Sequence, residues 1–305
     1  MKSSFRAVVL FLMLCNAVSA AVFDWEEKPK GDRVFALKLF VPDDVPKLRA
    51  AVVLVPGLDG DGRRMADDRA WQEFAAKNRC AIVACSMKGS AGGSYYEAGI
   101  WSGKALLDGL KDLAKISNHP ELADAPLALW GHSAGGQFNF NFACWKPERT
   151  IAFVANKGAY YGTDIKPSTR KVPGMWFCGE KDTEIRIKNI TERYQDGRAR
   201  GALWSLVMEP GTGHEVGKSK ALGMVFLEDA LAARLDSFDK LKSADPRAGW
   251  LGNVETKAVE KNLTSEAGPK SASWFPGEAT AQLWAQVVTG AAPPAAAEDV
   301  PGTPE

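Results

Sequence analysis

The segment Gly131-His132-Ser133-Ala134-Gly135 has the form G-x-S-x-G, and its setting gives the pattern chemical meaning. An apolar run at 127–130 (LALW) leads in, and a helical pattern over 133–145 leads out. A sharp strand-to-helix turn forces the serine into a strained conformation and lifts its hydroxyl clear of the sheet. The flanking glycines are needed because side chains there would collide with the adjoining strand and helix. A chance Gly/Ser turn has no reason to sit between a strand and a helix.

A serine hydroxyl becomes a nucleophile only beside a base, and the base needs an orienting acid. The chain has three histidines, so each can be weighed in turn. His132 precedes Ser133 in the same turn, which points its side chain away from the hydroxyl and suits packing beneath it. His119 precedes Pro120 in a polar connection and reads as a solvated loop residue. His214 closes the Gly-rich loop EPGTGH after an apolar strand pattern at 202–208, just before a long helical pattern. It is the expected base. The acid is expected between nucleophile and base, after another strand. The run GMWFC at 174–178 leads into Gly179-Glu180-Lys181-Asp182. Asp182 suits the loop geometry better, with Glu180 as the rival.

Such a site also needs two backbone N–H groups where negative charge develops. The expected donors are Ala134, directly after the serine at a helix N-terminus, and Leu58, in the loop VPGLDGDG after the strand at 51–55. A phosphate-binding reading of that loop fails. G-x-x-G-x-G is not the dinucleotide fingerprint, Asp59 and Asp61 would repel phosphate, and no Walker-type lysine follows. Asp59, Tyr95, Tyr96, Tyr160 and Tyr161 fall in loops expected beside the serine and are candidate pocket residues, with Trp274 a further aromatic there. Aromatic walls suit apolar acyl or aryl groups. Phe138 and Phe142, one helical turn apart, read as core. Three scattered histidines lack metal-ligand spacing, and no cofactor is expected.

Positioning these groups requires a sheet. Apolar runs at 33–41, 51–55, 81–85, 127–130, 151–154, 174–178 and 202–208 read as strands. Helical patterns alternate with them at 68–78, 95–117, 133–145, 185–194 and 218–235, with Ile100, Leu106, Leu107, Leu110 and Leu113 on one side of the second. Continuous apolar strands alternating with helices imply an α/β fold, a mostly parallel central sheet covered by helices on both faces. Residues 236–277 are polar and irregular, 279–288 reads as a short helix, and the Ala/Pro-rich 291–305 cannot pack and is expected to be disordered.

GHSAGG, VPGLDGDGR, GEKD and GTGH together resemble the α/β-hydrolase superfamily over about residues 33–235, and within it the secreted esterases of the dienelactone hydrolase, feruloyl esterase and polyhydroxybutyrate depolymerase groups. Pro56 stands where many relatives carry the histidine of an HG pair. The resemblance implies a serine esterase and assigns the triad roles to Ser133, Asp182 and His214, where the residues themselves had led. A serine peptidase of the prolyl-oligopeptidase kind is the rival enzyme reading, against which the absence of a propeller-sized N-terminal domain counts. A catalytically silent binding module on the same scaffold is the rival from another class, against which the complete triad counts.

The remaining composition bounds the setting. The 305 residues carry 38 Lys and Arg against 37 Asp and Glu, which leaves no electrostatic footprint for nucleic acid or an anionic lipid surface. The apolar content of 46% is too high for a disordered chain. Lys2 and Arg6, a nine-residue apolar run at 7–15 and Val18-Ser19-Ala20 read as a secretory signal cleaved after Ala20. The run is too short to span a bilayer, which takes about 20 apolar residues. Leu14 is too bulky for a lipoprotein signal at Cys15. The expected division is a signal peptide at 1–20, a hydrolase domain at 21–290 with an extension at 236–290, and a tail at 291–305, in a secreted or periplasmic protein that makes no membrane span. Export would permit disulfides. Cys80 and Cys85 should point to opposite faces of one strand, and buried free thiols are expected, with a Cys144–Cys178 bridge left open.

Overall fold

The computed structural model describes residues 21–28, 31–90, 94–264 and 266–291. The expected signal peptide and all of the tail except Ala291 lie outside the described residues. Eight strands form the main sheet: β1 (Ala21–Glu26), β2 (Val34–Val41), β3 (Ala50–Val55), β4 (Cys80–Lys88), β5 (Leu127–His132), β6 (Thr150–Asn156), β7 (Gly174–Gly179) and β8 (Trp204–Glu209). Their spatial order is β1-β2-β4-β3-β5-β6-β7-β8. Strands β3 to β8 run parallel, and β1 and β2 add an antiparallel edge.

The helices are α1 (Arg69–Asn78), α2 (Ser102–Ile116), α3 (Ala134–Trp145), the single turn α4 (Pro167–Arg170), α5 (Glu184–Ala199), α6 (Ser219–Arg234) and α7 (Glu278–Val288). Successive strand residues alternate between two cores. Ala51, Val53 and Val55 pack with Leu106 and Leu110 of α2, Phe138 of α3 and Ile190 of α5. Val52 and Leu54 pack with Trp71 of α1, Phe226 of α6 and Trp284 of α7. This period of two is why continuous apolar strands are needed: both faces are covered. Cys85 joins the first core and Cys80 the second, the opposite faces expected of them. All four described cysteines are free, so Cys144 and Cys178 are unbridged.

Three expectations require correction. The helix expected at 95–117 begins only at Ser102; residues 95–101 form turns in which the Ser102 hydroxyl donates to the Tyr95 carbonyl. Ile100 is therefore outside the helix and 54% exposed. Strand β1 was not foreseen, because its burial alternates weakly at an open edge. Finally, the irregular stretch 236–277 contains a small antiparallel sheet, β9 (Trp250–Asn253), β10 (Val259–Lys261) and β11 (Ala272–Phe275), in the order β10-β9-β11. Its place explains its polar sequence. It covers the outer edge of β8, where the Leu206 N–H donates to Ser273 Oγ (2.9 Å) and the Leu206 carbonyl accepts from Trp284 Nε1 (2.7 Å). A bare strand edge would otherwise template further pairing. Trp274 is buried here, its Nε1 donating to the Pro246 carbonyl, and is no part of a pocket beside Ser133. Among the described residues, no helix is long and apolar enough to cross a membrane.

Candidate active site

Ser133 sits between β5 and α3 with φ 54° and ψ −121°, a conformation L residues rarely adopt. Its neighbours show why glycine flanks it. A Cβ at Gly131 would stand 2.6 Å from the Gly135 carbonyl carbon, and one at Gly135 would stand 2.3 Å from the Val55 carbonyl oxygen. Both clashes are with backbone, so neither can be relieved by a rotamer change. The Ser133 N–H donates to the Asn156 carbonyl at 2.7 Å, fixing the turn to the end of β6.

His214 arrives from the loop after β8. Its Nε2 lies 2.9 Å from Ser133 Oγ and its Nδ1 lies 3.2 Å from Asp182 Oδ2. Asp182 follows β7, and its side chain is 2% exposed. It is fully committed: Oδ1 accepts from the Thr183 N–H (2.7 Å) and from Arg186 (2.6 Å). Burial opposes its charge, but these donors with His214 win and hold the carboxyl below the usual carboxylate range. Glu180 is placed elsewhere: its Oε2 accepts from the Gly211 N–H at 2.7 Å, steadying the loop that carries His214. Such a hydroxyl–imidazole–carboxylate chain can pass a proton from oxygen to nitrogen while the acid fixes the ring tautomer.

The His214 loop rests on a buried ion pair that the sequence pattern did not reveal. Lys157, just past β6, reaches over the end of β7 to Glu209, the last residue of β8. The Nζ–Oε2 distance is 2.8 Å, with side-chain exposures of 0% and 2%. Lys157 Nζ also donates to the Glu215 carbonyl (2.8 Å), and Glu209 Oε1 accepts from the Lys218 N–H (2.6 Å), bracketing His214 on both sides. Arg186 was missed as well. The available signal was a charge of each sign at the ends of two apolar strands, but nothing in the chain says that those ends converge.

His132 packs between the end of β6 and the ring of His214. Asn156 Nδ2 is 3.0 Å from its Nδ1, and its ring is 4.9 Å from that of His214. Burial, reinforced by the positive charges nearby, pushes it down to about 4, so it is neutral at ordinary pH. His119 departs from its expected solvated state: its side chain is 17% exposed and its Nδ1 lies 2.9 Å from Glu121, because Glu121 is itself drawn inward to accept the Leu48 N–H.

Ala134 is buried at the start of α3. Gly57 is beside the serine, since a Cβ there would be 3.7 Å from Ser133 Cβ, and Leu58 follows, 67% exposed. Asp59, with φ 51°, directs Oδ1 to the Gly89 N–H (3.0 Å) and ties this loop to the end of β4. Tyr95 is no pocket wall. It is 1% exposed, with its hydroxyl donating to the Gly57 carbonyl at 2.9 Å, because the turns before α2 fold it under the loop. Tyr96, Tyr160 and Tyr161 line one cavity of about 480 Å³, together with Ile100, Trp145 and Cys144; neither Ser133 nor His214 is part of its lining. Tyr161 also packs edge-on against Trp176, with ring centroids 4.8 Å apart. A larger cavity, about 600 Å³, lies by Arg170 and Gly201 at the opposite ends of β7 and β8 and touches none of these groups. Among the described residues no cluster could hold a metal ion.

No protein-family model matches the sequence, and no curated protein matches it. Solved structures do. Poly(aspartic acid) hydrolase-1 from Sphingomonas sp. KT-1 shares 16% identity, with 68% of this chain and 98% of that one covered and a TM-score of 0.53. A ferulic acid esterase shares 15% identity over 69% of this chain and 98% of its own, with a TM-score of 0.52. LpqC, a poly(3-hydroxybutyrate) depolymerase from Bordetella parapertussis, shares 18% identity over 74% of this chain and 92% of its own, with a TM-score of 0.50. With six parallel strands, helices on both faces and these likenesses, the chain has the α/β-hydrolase fold.

Proposed function

We propose that this chain is an exported serine hydrolase that cleaves carboxylic esters through an acyl-enzyme. The observation that carries the reading is the continuous contact from Ser133 Oγ to His214 to the buried Asp182. Ser133 Oγ attacks the ester carbonyl as His214 Nε2 takes its proton. Negative charge on the carbonyl oxygen is met by the Ala134 and Leu58 N–H groups. The intermediate collapses, His214 returns the proton to the departing alcohol, and an acyl-serine remains. Water, deprotonated by His214, then attacks that acyl group; the second intermediate collapses to release the acid and restore Ser133. Asp182 holds the imidazole throughout. The cavity lined by Tyr96, Tyr160 and Tyr161 is the proposed seat of an apolar or aryl part of the substrate. A ferulic acid esterase and a poly(3-hydroxybutyrate) depolymerase among the similar folds agree with ester chemistry. Residues 1–20 act as the signal, 21–290 as the hydrolase domain with its extension at 236–290, and 291–305 as a tail.

The test is a fluorophosphonate probe on the purified protein. Labelling should map to Ser133, and its absence there would overturn the reading. Ser133→Ala should lower p-nitrophenyl ester turnover by about 10⁴-fold or more. Asp182→Asn should cost far more activity than Glu180→Gln, and the reverse order would move the acid to Glu180.

A further inference from the structure

Gly57 gives the loop beside Ser133 a backbone free to turn, yet the proposed hydrolysis needs the Leu58 N–H to point one way. Two donors converge on the Gly57 carbonyl: the Tyr95 hydroxyl at 2.9 Å and the Gly60 N–H at 3.1 Å. A peptide unit is planar and trans, so the C=O of Gly57 and the N–H of Leu58 point in opposite directions. Whatever holds the carbonyl therefore aims the amide. We infer that Tyr95 is a positioning residue of the oxyanion hole, acting through the Gly57–Leu58 peptide and not by touching substrate. The inference rests on the hydrolase reading above.

Three further observations support it. Tyr95 is 1% exposed, so its hydroxyl is shielded from competing water. Its own backbone is fixed by the Ser102 hydroxyl at the start of α2, so the ring cannot follow a moving loop. Burial raises its pKa, which keeps the hydroxyl protonated and a donor across the working pH range. A donor on the carbonyl also polarises the peptide, which strengthens the N–H at its other end. The sequence placed Tyr95 among pocket aromatics; its burial gives it this different task.

Tyr95→Phe keeps the ring and its packing and removes only the donor. The full loss of one oxyanion donor costs roughly 10²–10³ in kcat, so a misaimed one should cost about tenfold or more. KM for a p-nitrophenyl ester should stay within about twofold, as expected when an interaction acts only in the transition state. A boronate that forms a tetrahedral adduct on Ser133 should weaken by the same factor as kcat/KM. Leu58→Pro, which deletes the amide hydrogen itself, should remove at least as much activity, and adding Tyr95→Phe to it should cost nothing further. An unchanged kcat, a rise confined to KM, an unchanged boronate affinity, or a further tenfold fall in the double variant would each overturn the inference. Wild-type protein that fails to label at Ser133 would instead sink the hydrolase reading on which it stands.

Discussion

The turn carrying Ser133 and the loop carrying His214 meet across 2.9 Å, but they are held in place by different forces. Around Ser133 the work is steric. Gly131 and Gly135 are positions where a methyl group would strike backbone, and β5, α3 and the loop after β3 close in because those side chains are absent. Around His214 the work is electrostatic. Lys157 and Glu209 pair inside the protein, Glu180 and Glu215 accept from the Gly211 and Gly213 N–H groups, and Arg186 braces Asp182. A steric site is encoded within five consecutive residues. An electrostatic one is assembled from residues 157, 180, 186, 209 and 215, which only the fold brings together.

Breaking the electrostatic side should have the largest effect. Lys157→Met leaves the Glu209 carboxylate buried without its partner, and removing one member of such a pair costs about 3–5 kcal/mol. Stability from urea unfolding should fall by that order, and activity should fall with it as the His214 loop loosens. Lys157→Met combined with Glu209→Gln should recover most of the stability, and a double variant as unstable as the single one would show that the pair is not the support.

The steric side should respond less in stability. Gly135→Ala sets a methyl group against the Val55 carbonyl; overpacking of this kind costs about 1–3 kcal/mol. The expected signature is a modest drop in melting temperature with a disproportionate loss of turnover, because Ser133 is displaced. Retention of full turnover would show that the turn tolerates a side chain there.

The effect that is smallest at neutral pH, and appears only on acidification, lies where the two regions touch. His132 ionises in the unfolded chain near 6.5 but only near about 4 in the folded one. Between those values the unfolded state binds more protons, so stability must rise with pH in that interval. The contribution is complete above about 6.5 and is lost progressively as pH falls toward about 4, with a slope of at most about 1.4 kcal/mol per pH unit. His132→Gln should flatten this part of the stability profile; an unchanged slope would show that His132 is not the group responsible.

Much of the fold could be read in advance because continuous apolar runs such as 51–55 and 174–178 have few alternatives to doubly covered strands. The sequence carries little signal where burial is one-sided or long-range. Strand β1 sits at an edge, and β9 to β11 shield the open side of β8 with a sequence too polar to signal strands. Residues 95–101 look helical by spacing but are turns, because Tyr95 is drawn down to Gly57. In the site, Ser133, His214 and Asp182 were legible since each follows a strand by a short loop in a fixed order. The placement of the tyrosines was not, because an aromatic beside a loop can face either cavity or core, and Tyr95 faces core while Tyr96 and Tyr160 face the cavity.

The amino-acid sequence alone determined the strained serine turn, the order of the three groups and the alternation that builds a parallel sheet. These are local properties, set by which backbone angles and clearances each residue permits. Tertiary structure decided that Asp182, not Glu180, meets His214, that Lys157 reaches Glu209, and that Tyr95 grips the Gly57 carbonyl. Those outcomes depend on which strand ends lie side by side, a fact fixed by packing the whole sheet and written in no single stretch of the chain.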